Sequence, residues 1–306
     1  MQSKTELQEK FGIQDILRFE ETPAGLVRAV VTTAQADADV YLQGAHVAHW
    51  APKGQKSILF VSSRSEFAPG KAIRGGIPVI FPWFGPRGGG LPGASHGFAR
   101  TALWQLHSAQ ETGGKVEMVF VLEPKDVADS FGYADFSLQL RVVVGAELQI
   151  ELQVRNQSEK QLKYEEALHS YFAVGDIGQV SISGLEGTTY IDKTDGMKRK
   201  RAGNEPLQLT KETDQIHVNA TATCVADDAM GQRRIVIEKS GSESTVVWNP
   251  WAEKAKGLKD MVPDEWREMV CVESANAADN AVTVAPGQEH LMRVVIRVEP
   301  RLGVHR

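Results

Sequence analysis

Cysteine and basic charge are both scarce in this sequence of 306 residues, and each shortage narrows the possible functions. The only cysteines are Cys224 and Cys271, and nothing near either resembles a metal knuckle, so we expect free thiols in a reducing compartment. Lysine and arginine total 34 against 39 acidic residues, and the net charge of −5 argues against a general nucleic-acid binder, which would carry a basic face. Any anionic ligand must therefore be held by local arginines.

Signals for targeting and for membrane insertion are also missing. No stretch approaches the roughly 20 apolar residues that are needed to span a bilayer. The first residues, MQSKTELQEKFGIQ, are polar and lack the apolar core of a signal peptide. We therefore expect a cytoplasmic protein that has no membrane and no nucleic acid among its partners.

Alternation of apolar and polar residues is the strongest structural signal in the sequence. Residues 136–144 and 148–154 alternate on either side of Gly-Ala-Glu, which predicts two antiparallel strands with a tight connection. Residues 116–122 and 292–298 follow the same period. Many short strands with Gly and Pro turns predict an all-β fold, a large antiparallel β-sandwich. Because no linker or change of composition divides the chain, we predict a single domain over residues 1–306.

Helical signals are sparse, and we expect only a few short helices. Residues 5–12, TELQEKFG, are predicted to form one of them. Ser3 and Thr5 are both candidate N-caps for this helix, because each is followed three residues later by Glu or Gln, as in a capping box.

The first segment with candidate functional residues is IRGGIPVIFPWFGPRGGGLPGASHGFAR, residues 73–100. Glycine lets the backbone approach a ligand closely, and arginine suits bidentate contact with phosphate or carboxylate. The segment is not a P-loop, because neither a Gly-Lys-Ser/Thr sequence nor a helix follows at the required place. An equally weighted interpretation is that the glycines only form turns and the arginines lie on a solvated rim.

Two further segments place polar groups among apolar strand residues. In EEALHSYFAV, His169 lies next to aromatic residues, where a half-buried imidazole can act as an acid near neutral pH. Most histidines in such a context are simply core or surface groups. Glu273 ends the apolar run of residues 269–272, and a carboxylate that emerges from the end of a buried strand is costly unless it is paired or used.

Aromatic and acidic residues add weaker candidates. Trp248 and Trp251 flank Asn-Pro and could wall a pocket for a sugar ring, although tryptophans are more often core or rim. Asp192 lies where a strand gives way to a loop, and Asp214 precedes a short apolar alternation. On pattern alone, each of these aspartates is more often a solvated surface group.

Seven motifs occur in an order that resembles a known family. They are IRGGIPVIFPWFG, SHGFAR, LHSYF, YIDK, ETDQIH, VWNPW and CVESAN. The series resembles the aldose 1-epimerase, or galactose mutarotase-like, superfamily, and within it the glucose-6-phosphate 1-epimerase (D-hexose-6-phosphate mutarotase) branch. The resemblance covers about residues 25–300, the expected core of the domain. It implies a large β-sandwich that holds a hexose on its concave face, and an isomerase that interconverts the α and β anomers of glucose 6-phosphate.

The resemblance implies roles for two residues in the reaction. It casts His169 of LHSYF as the general acid and Glu273 of CVESAN as the general base. Opening the sugar ring requires removal of the proton from the C1 hydroxyl while the ring oxygen is protonated. A carboxyl group with a pKa near ~4.3 and an imidazole with a pKa near ~6.5 suit these roles at pH 7. No metal or organic cofactor is required for this chemistry.

The resemblance also implies the groups that bind the substrate. Arg74 and Arg100 would hold the 6-phosphate, whereas His96 and Asp214 would bind the sugar. Ser95 precedes His96 where other members can carry glutamine, and the substrate contact at this position stays open. On charge alone, further candidates for phosphate binding are Arg64 and Arg87.

Two other functions stay open at the level of sequence. A non-catalytic carbohydrate-binding or sugar-phosphate-sensing domain would keep the aromatic residues and arginines but would not need both His169 and Glu273. A mutarotase for unphosphorylated aldoses would not need Arg74 and Arg100. The expected partner is a small-molecule hexose 6-phosphate, and we expect the protein to be a monomer.

Overall fold

The computed structural model describes residues 2–127 and 131–301, which fold mainly into β-strands and turns. The strands up to residue 156 are β1 Leu17–Glu21, β2 Val27–Thr32, β3 Ala36–Tyr41, β4 His46–Pro52, β5 Val79–Ile80, β6 Gln105–Thr112, β7 Lys115–Leu122, β8 Phe136–Val144 and β9 Leu148–Asn156. The later strands are β10 Leu162–Tyr164, β11 Glu166–Leu168, β12 Tyr171–Ala173, β13 Val180–Ser183, β14 Thr189–Asp192, β15 Lys198–Arg201, β16 Leu207–Gln208, β17 Thr213–Val218, β18 Cys224–Asp228, β19 Arg233–Ser240, β20 Ser244–Asn249, β21 Met269–Asn276, β22 Val282–Val284 and β23 Glu289–Pro300.

Helices are short in the described part of the chain. The two α-helices are α1 Lys4–Phe11 and α2 Trp251–Lys256. Single 3-10 turns occur at Gly88–Gly90, Pro124–Asp126, Ile177–Gln179, Lys193–Asp195, Glu265–Glu268 and Ala278–Asn280.

Antiparallel pairing joins the strands into two large sheets and two small ones. The nine-stranded sheet has the order β16-β13-β18-β19-β23-β9-β8-β7-β6. The eight-stranded sheet has the order β15-β14-β17-β20-β21-β11-β5, with β12 also paired to β21. The smaller sheets are β1-β2-β3-β4 and β10-β22. The predicted all-β, antiparallel fold is confirmed.

The two large sheets share one hydrophobic core. Leu140 and Ile150 of the nine-stranded sheet belong to the same buried cluster as Phe172 and Val270 of the eight-stranded sheet. A second, smaller cluster that includes Ile216 lies on the other face of the eight-stranded sheet. The face of the eight-stranded sheet that belongs to the shared core closes the sandwich. Within the described residues, the opposite face carries only this small apolar cluster, so it is available to form a binding site.

The predicted alternation is present in the structure. β8 and β9 both alternate buried and more exposed residues along nine positions, and Gly145 closes the tight connection by donating to the Glu147 carbonyl at 3.1 Å. Burial of a Leu, Ile or Val side chain stabilises a fold by roughly 1.5–3 kcal/mol. A slip of one residue would turn this whole face outward, so the register is strongly specified.

The first helix begins one residue before its predicted start, because Ser3 and not Thr5 is the N-cap. Ser3 Oγ accepts a hydrogen bond from the Glu6 N–H at 3.3 Å, and the Glu6 carboxylate accepts one from the Ser3 N–H at 2.8 Å. The helix ends at Phe11. The second helix, α2, was not predicted, because six residues are too few to show a helical period.

Both cysteines are buried and free, as expected from their number. Within residues 2–127 and 131–301, no helix has the length and apolar character that crossing a bilayer requires. The single domain, the reducing cytoplasmic location and the monomeric state stay predictions.

A buried carboxylate is paired where β11, β21 and β23 come together. Oε1 of Glu166 accepts a hydrogen bond from the Asn276 side chain at 2.8 Å and lies 3.1 Å from Nε2 of His290. Burial by itself would lower the pKa of His290, but the Glu166 carboxylate and the Gly241 carbonyl outweigh it and hold that pKa above its usual value. Folding therefore stabilises the charged imidazolium of His290 relative to the unfolded chain.

Replacing His290 by Gln should lower the free energy of unfolding by about 1–3 kcal/mol near pH 6 and by much less near pH 9. Because the folded-state pKa is raised, the contribution is present below the unfolded value of about 6.5 and is lost as pH rises through the folded value. Urea unfolding of both proteins at the two pH values measures this. An equal loss of unfolding free energy at both pH values would contradict the ion pair between His290 and Glu166.

Candidate active site

Four adjacent strands of the eight-stranded sheet place one row of side chains on the same face. Asp214 on β17 lies directly opposite Trp248 on β20, which in turn lies opposite Cys271 on β21. Cys271 lies opposite Tyr171 on β12. Glu273 follows Cys271 by two residues and therefore lies on the same face of the sheet. The topology thus brings two carboxylates, a thiol and two aromatic rings together.

His169 lies in the short connection between β11 and β12, both of which pair with β21. Its backbone N–H donates to the Pro78 carbonyl at 3.0 Å. Its ring stacks on the Tyr171 ring with centroids 4.7 Å apart and an angle of 8° between the planes. Its Nδ1 is 3.4 Å from Oε1 of Glu273. The two residues to which the resemblance assigns acid and base roles are therefore in contact.

Glu273 lies inside β21 and not at the end of a strand, so this part of the sequence prediction is wrong. The strand continues to Asn276, whose side chain donates to Glu166 and to the Gly241 carbonyl, both at 2.8 Å. Hydrogen bonds of polar residues thus hold the last part of β21. A search for apolar runs does not detect this part of the strand. Backbone pairing opposite Val246 of β20 fixes Glu273, and its side chain is only 1% exposed.

His169 and the side chains of the row, except for Cys271, border a cavity of about 370 Å³. Its lining consists of Arg74, Phe84, Gly85, Pro86, Ser95, His96, His169, Tyr171, Lys193, Asp214, Trp248, Lys254 and Glu273. Of the predicted catalytic and substrate-binding residues, all of which the structure describes, only Arg100 is outside this lining. Larger cavities of about 740 and 680 Å³ lie elsewhere, and the described residues that line them include no histidine.

Close backbone contacts hold His96 at the edge of this cavity. The following residue, Gly97, has a φ of +71°, and a Cβ there would lie 2.0 Å from the Phe81 carbonyl oxygen, so only glycine fits. The His96 N–H donates to the Gly85 carbonyl at 2.8 Å, and His96 Nδ1 accepts from the Gly85 N–H at 3.3 Å. The neutral ring therefore carries its proton on Nε2. Its centroid is 5.5 Å from that of His169.

The two arginines predicted to bind phosphate occupy different environments. Arg74 lines the cavity, where its Nε and Nη2 each lie 3.0 Å from Oδ2 of Asp260 and its Nη1 donates to the Tyr171 hydroxyl at 3.1 Å. Arg100 donates through Nη2 to the Ser95 carbonyl at 2.7 Å. Its buried Nε has no hydrogen-bond partner among the described residues. Arg74 is therefore fixed by its neighbours, whereas Arg100 keeps an unused donor.

The other arginine candidates are not part of the cavity lining in the described part of the chain. Arg87 donates to the carbonyls of Pro92 and Phe131, both at 2.9 Å, and packs over the Trp83 ring at 5.0 Å. These contacts hold the glycine-rich loop in place. Arg64 is exposed to solvent. Charge alone could not distinguish these two side chains from Arg74.

Two lysines at the cavity are absent from the sequence-based candidates. Lys193 Nζ lies 3.0 Å from Oδ2 of Asp214 and 5.4 Å from the centre of the Phe84 ring. Lys254 comes from the unpredicted helix α2 and pairs with Glu212 at 2.7 Å. Both lysines add positive charge to a cavity that belongs to an acidic protein.

Asp192 lies outside the cavity lining but fixes the turn that carries Lys193. As predicted, it ends a strand, and its Oδ1 accepts hydrogen bonds from the N–H and the hydroxyl of Thr194 at 3.0 and 2.7 Å. Its Oδ2 lies 2.7 Å from Lys200. The YIDK motif therefore indicates a segment beside the cavity, but the residue of this motif that lines the cavity is Lys193 and not Asp192.

Only one of the two tryptophans lines the cavity. Trp248 borders it, whereas the ring of Trp251 packs on that of Trp266 with centroids 4.5 Å apart. The Trp251 N–H donates to Oδ1 of Asn249 at 2.8 Å, and this turn at the start of α2 takes the ring away from the row on β20. The expectation that both rings wall the pocket is wrong for Trp251.

Burial shifts the histidines and the two carboxyl groups of the cavity toward their neutral forms. The pKa of His169 is held well below its usual value by burial and then by the neighbouring His96 and two arginines. Burial also lowers the pKa of His96 to about 3. Burial and the Asp214 carboxylate raise the pKa of Glu273, which the Lys193 ammonium opposes. Before substrate binds, the pKa values of these three side chains therefore differ from the ordinary values expected for histidine and glutamate.

Comparison with known proteins identifies the family. A family model for aldose 1-epimerase matches residues 29–297. The chain belongs to the aldose 1-epimerase family. The resemblance inferred from the order of the motifs is confirmed.

Individual members of this family are similar over almost their whole length. An Escherichia coli K12 protein assigned as a glucose-6-phosphate 1-epimerase is 36% identical over 273 residues, which cover 89% of this chain and 90% of the relative. A Cenchrus ciliaris protein with the same assignment is 32% identical over 290 residues, which cover 92% and 87%. The crystal structure of a Salmonella typhimurium protein assigned as a mutarotase matches with a TM-score of 0.87 and 32% identity, covering 95% of this chain and 96% of that chain.

Proposed function

We propose that this protein interconverts the α and β anomers of a hexose 6-phosphate, with glucose 6-phosphate as the first candidate, by acid- and base-catalysed ring opening. The observation that carries the proposal is the contact of His169 with Glu273 at a cavity that Arg74 also lines. A cavity of about 370 Å³ lies within the range of small-molecule sites. A binding or sensing domain would have no use for a buried histidine–carboxylate pair.

In the proposed reaction, each group of the pair moves one proton. Glu273 takes the proton from the C1 hydroxyl while His169 gives a proton to the ring oxygen, and the C1–O5 bond breaks to leave the open-chain aldehyde. Rotation about the C1–C2 bond then presents the other face of the carbonyl to the C5 hydroxyl. Ring closure returns both protons and gives the opposite anomer. A positioned acid or base typically accelerates such steps by roughly 10²–10⁴-fold.

The reaction needs one proton on the pair, and the bound substrate helps to place it. The neutral pair and the imidazolium–carboxylate pair contain the same number of protons, so they differ only in where the proton resides. In the free cavity, burial disfavours the His169 imidazolium most strongly, and His96 and the charges of Arg100 and Arg74 disfavour it further. A bound phosphate would offset those charges and thereby favour the charged His169 that can protonate the ring oxygen.

The cations at the cavity support a phosphorylated substrate. A sugar phosphate carries about −1.5 to −2 charges at pH 7. Arg74 lines the cavity with its guanidinium already oriented by Asp260 and Tyr171, so little of its conformational freedom remains to be lost on binding. Lys193 and Lys254 add charge at the same cavity. A mutarotase for neutral aldoses would not need this group of cations.

The catalytic assignment predicts that His169→Asn and Glu273→Gln each slow anomerisation by at least about 10²-fold while binding of the sugar phosphate is retained. An assay coupled to an anomer-specific dehydrogenase measures the rate, and calorimetry measures the binding. His107→Asn is the matched control, because His107 is exposed on β6 and lies outside the cavity. A near-normal rate in either cavity variant would refute the roles given to the pair.

The phosphate assignment predicts that Arg74→Met lowers kcat/KM for glucose 6-phosphate by roughly 10- to 100-fold, which corresponds to a lost charge-assisted hydrogen bond of about 1.5–3 kcal/mol. The slower rate with free glucose should change little, because glucose has no group for Arg74 to bind. Arg64→Met is the control, since Arg64 is exposed away from the cavity. If the wild-type protein treats both sugars equally, the phosphate assignment is wrong.

A further inference from the structure

Cys271 has no part in the proposed reaction, although it lies in the centre of the row that carries the site. It is fully buried and lies two residues before Glu273 on the same face of β21. Ligand atoms of His169, Cys271 and Glu273 all lie within 4.8 Å of one another. A thiol, an imidazole and a carboxylate thus meet at one point, from the single strand β21 and from the connection between the two strands that pair with it.

This arrangement is close to the geometry of a zinc site. Zn²⁺ binds sulfur at about 2.3 Å and nitrogen or oxygen at about 2.0–2.2 Å, so tetrahedral ligand atoms stand about 3.3–3.8 Å apart. The His169 Nδ1 to Glu273 Oε1 distance of 3.4 Å already meets this spacing. The remaining separations, which do not exceed 4.8 Å, need adjustments of at most about 1.3 Å. Side-chain rotation can supply such shifts without moving a strand.

Two buried atoms in this cluster lack partners, which is an independent sign of a missing ligand. Nδ1 of His169 and Oε2 of Glu273 are both buried and make no hydrogen bond to any described residue. The two side chains are 9% and 1% exposed. Buried polar groups are normally hydrogen-bonded, because a buried polar atom without a partner destabilises the fold. A cation placed between these atoms and the thiol would satisfy them together.

We propose that His169, Cys271 and Glu273 form a binding site for a soft divalent cation such as Zn²⁺, and that the bound cation stops the reaction by taking both the acid and the base. The mixed sulfur, nitrogen and oxygen donors select Zn²⁺ or Cd²⁺ over the hard cations Mg²⁺ and Ca²⁺, which prefer oxygen alone. On binding, the thiol of Cys271 and the His169–Glu273 pair each release one proton to solvent as the bonds from the metal to sulfur, nitrogen and oxygen form. The binding stands on the geometry, and only the inhibition rests on the proposed function.

Cd²⁺ is the probe for the binding half of this proposal. Titration of the reduced, chelator-treated full chain with Cd²⁺ should produce a thiolate-to-metal charge-transfer band that saturates at one ion per chain. Cys271→Ser and Cys271→Ala should each lose the band and weaken binding by at least about 100-fold. Cys224→Ser is the matched control, because Cys224 is also buried and free but belongs to the nine-stranded sheet. A band that survives in both Cys271 variants or disappears in the Cys224 variant would overturn the site.

A measurement on the unmodified chain covers the case in which a Cys271 variant fails to fold. The ¹¹³Cd resonance of the bound ion should have the shift of a site with one sulfur ligand and nitrogen and oxygen ligands. A shift typical of oxygen ligands alone would overturn the site without any substitution.

Anomerisation kinetics test the inhibitory half separately. Micromolar Zn²⁺ should inhibit the wild-type protein and the Cys224→Ser variant, a chelator should restore the rate, and the hexose 6-phosphate should compete with the metal. The Cys271 variants should keep the metal-free rate and be at least tenfold less sensitive to Zn²⁺. If Cd²⁺ binds as described but Zn²⁺ leaves the rate unchanged, the inhibitory half is wrong. If metal-free protein shows no anomerisation at all, the proposed function fails and the Cd²⁺ titration still decides the site.

Discussion

The rest of the cavity depends on the contact between the buried side chains of His169 and Glu273, whose Nδ1 and Oε1 atoms lie 3.4 Å apart. Taking two ionisable side chains out of water is costly unless their surroundings compensate. Here β11 and β12 both pair with β21, so backbone hydrogen bonds hold the two side chains whatever their charge. The sheet therefore keeps the two side chains beside each other in either protonation state.

Charge around this contact is balanced locally, in a protein whose net charge is −5. Arg74 is paired with Asp260, and Lys193 is paired with Asp214, so each cation has its own carboxylate in the free protein. Such pairs keep the cavity stable without a ligand and orient the cations before an anion arrives. Arg100 differs, because it bonds to a carbonyl and keeps a buried Nε without a partner among the described residues.

The sequence predicts best the features that depend on local pattern. Alternation along β8 and β9 requires only that one face of each strand be buried, and the all-β fold follows from many such segments. The order of the motifs led to the family and, through it, to the residues that meet at the cavity. Lys193 and Cys271 lie within two of these motifs, YIDK and CVESAN, but the motif order does not show what surrounds them, because that depends on which strands and turns lie side by side. Likewise, hydrogen bonds at Asn276 extend β21 beyond the apolar run.

The central claim is that this cavity catalyses ring opening of a hexose 6-phosphate. Magnetisation-exchange NMR of glucose 6-phosphate at anomeric equilibrium tests it most directly, because exchange between the two C1 resonances is observed without any coupling enzyme. The account predicts an exchange rate that rises in proportion to the concentration of added protein. An exchange rate that stays at the buffer value at every protein concentration would contradict it.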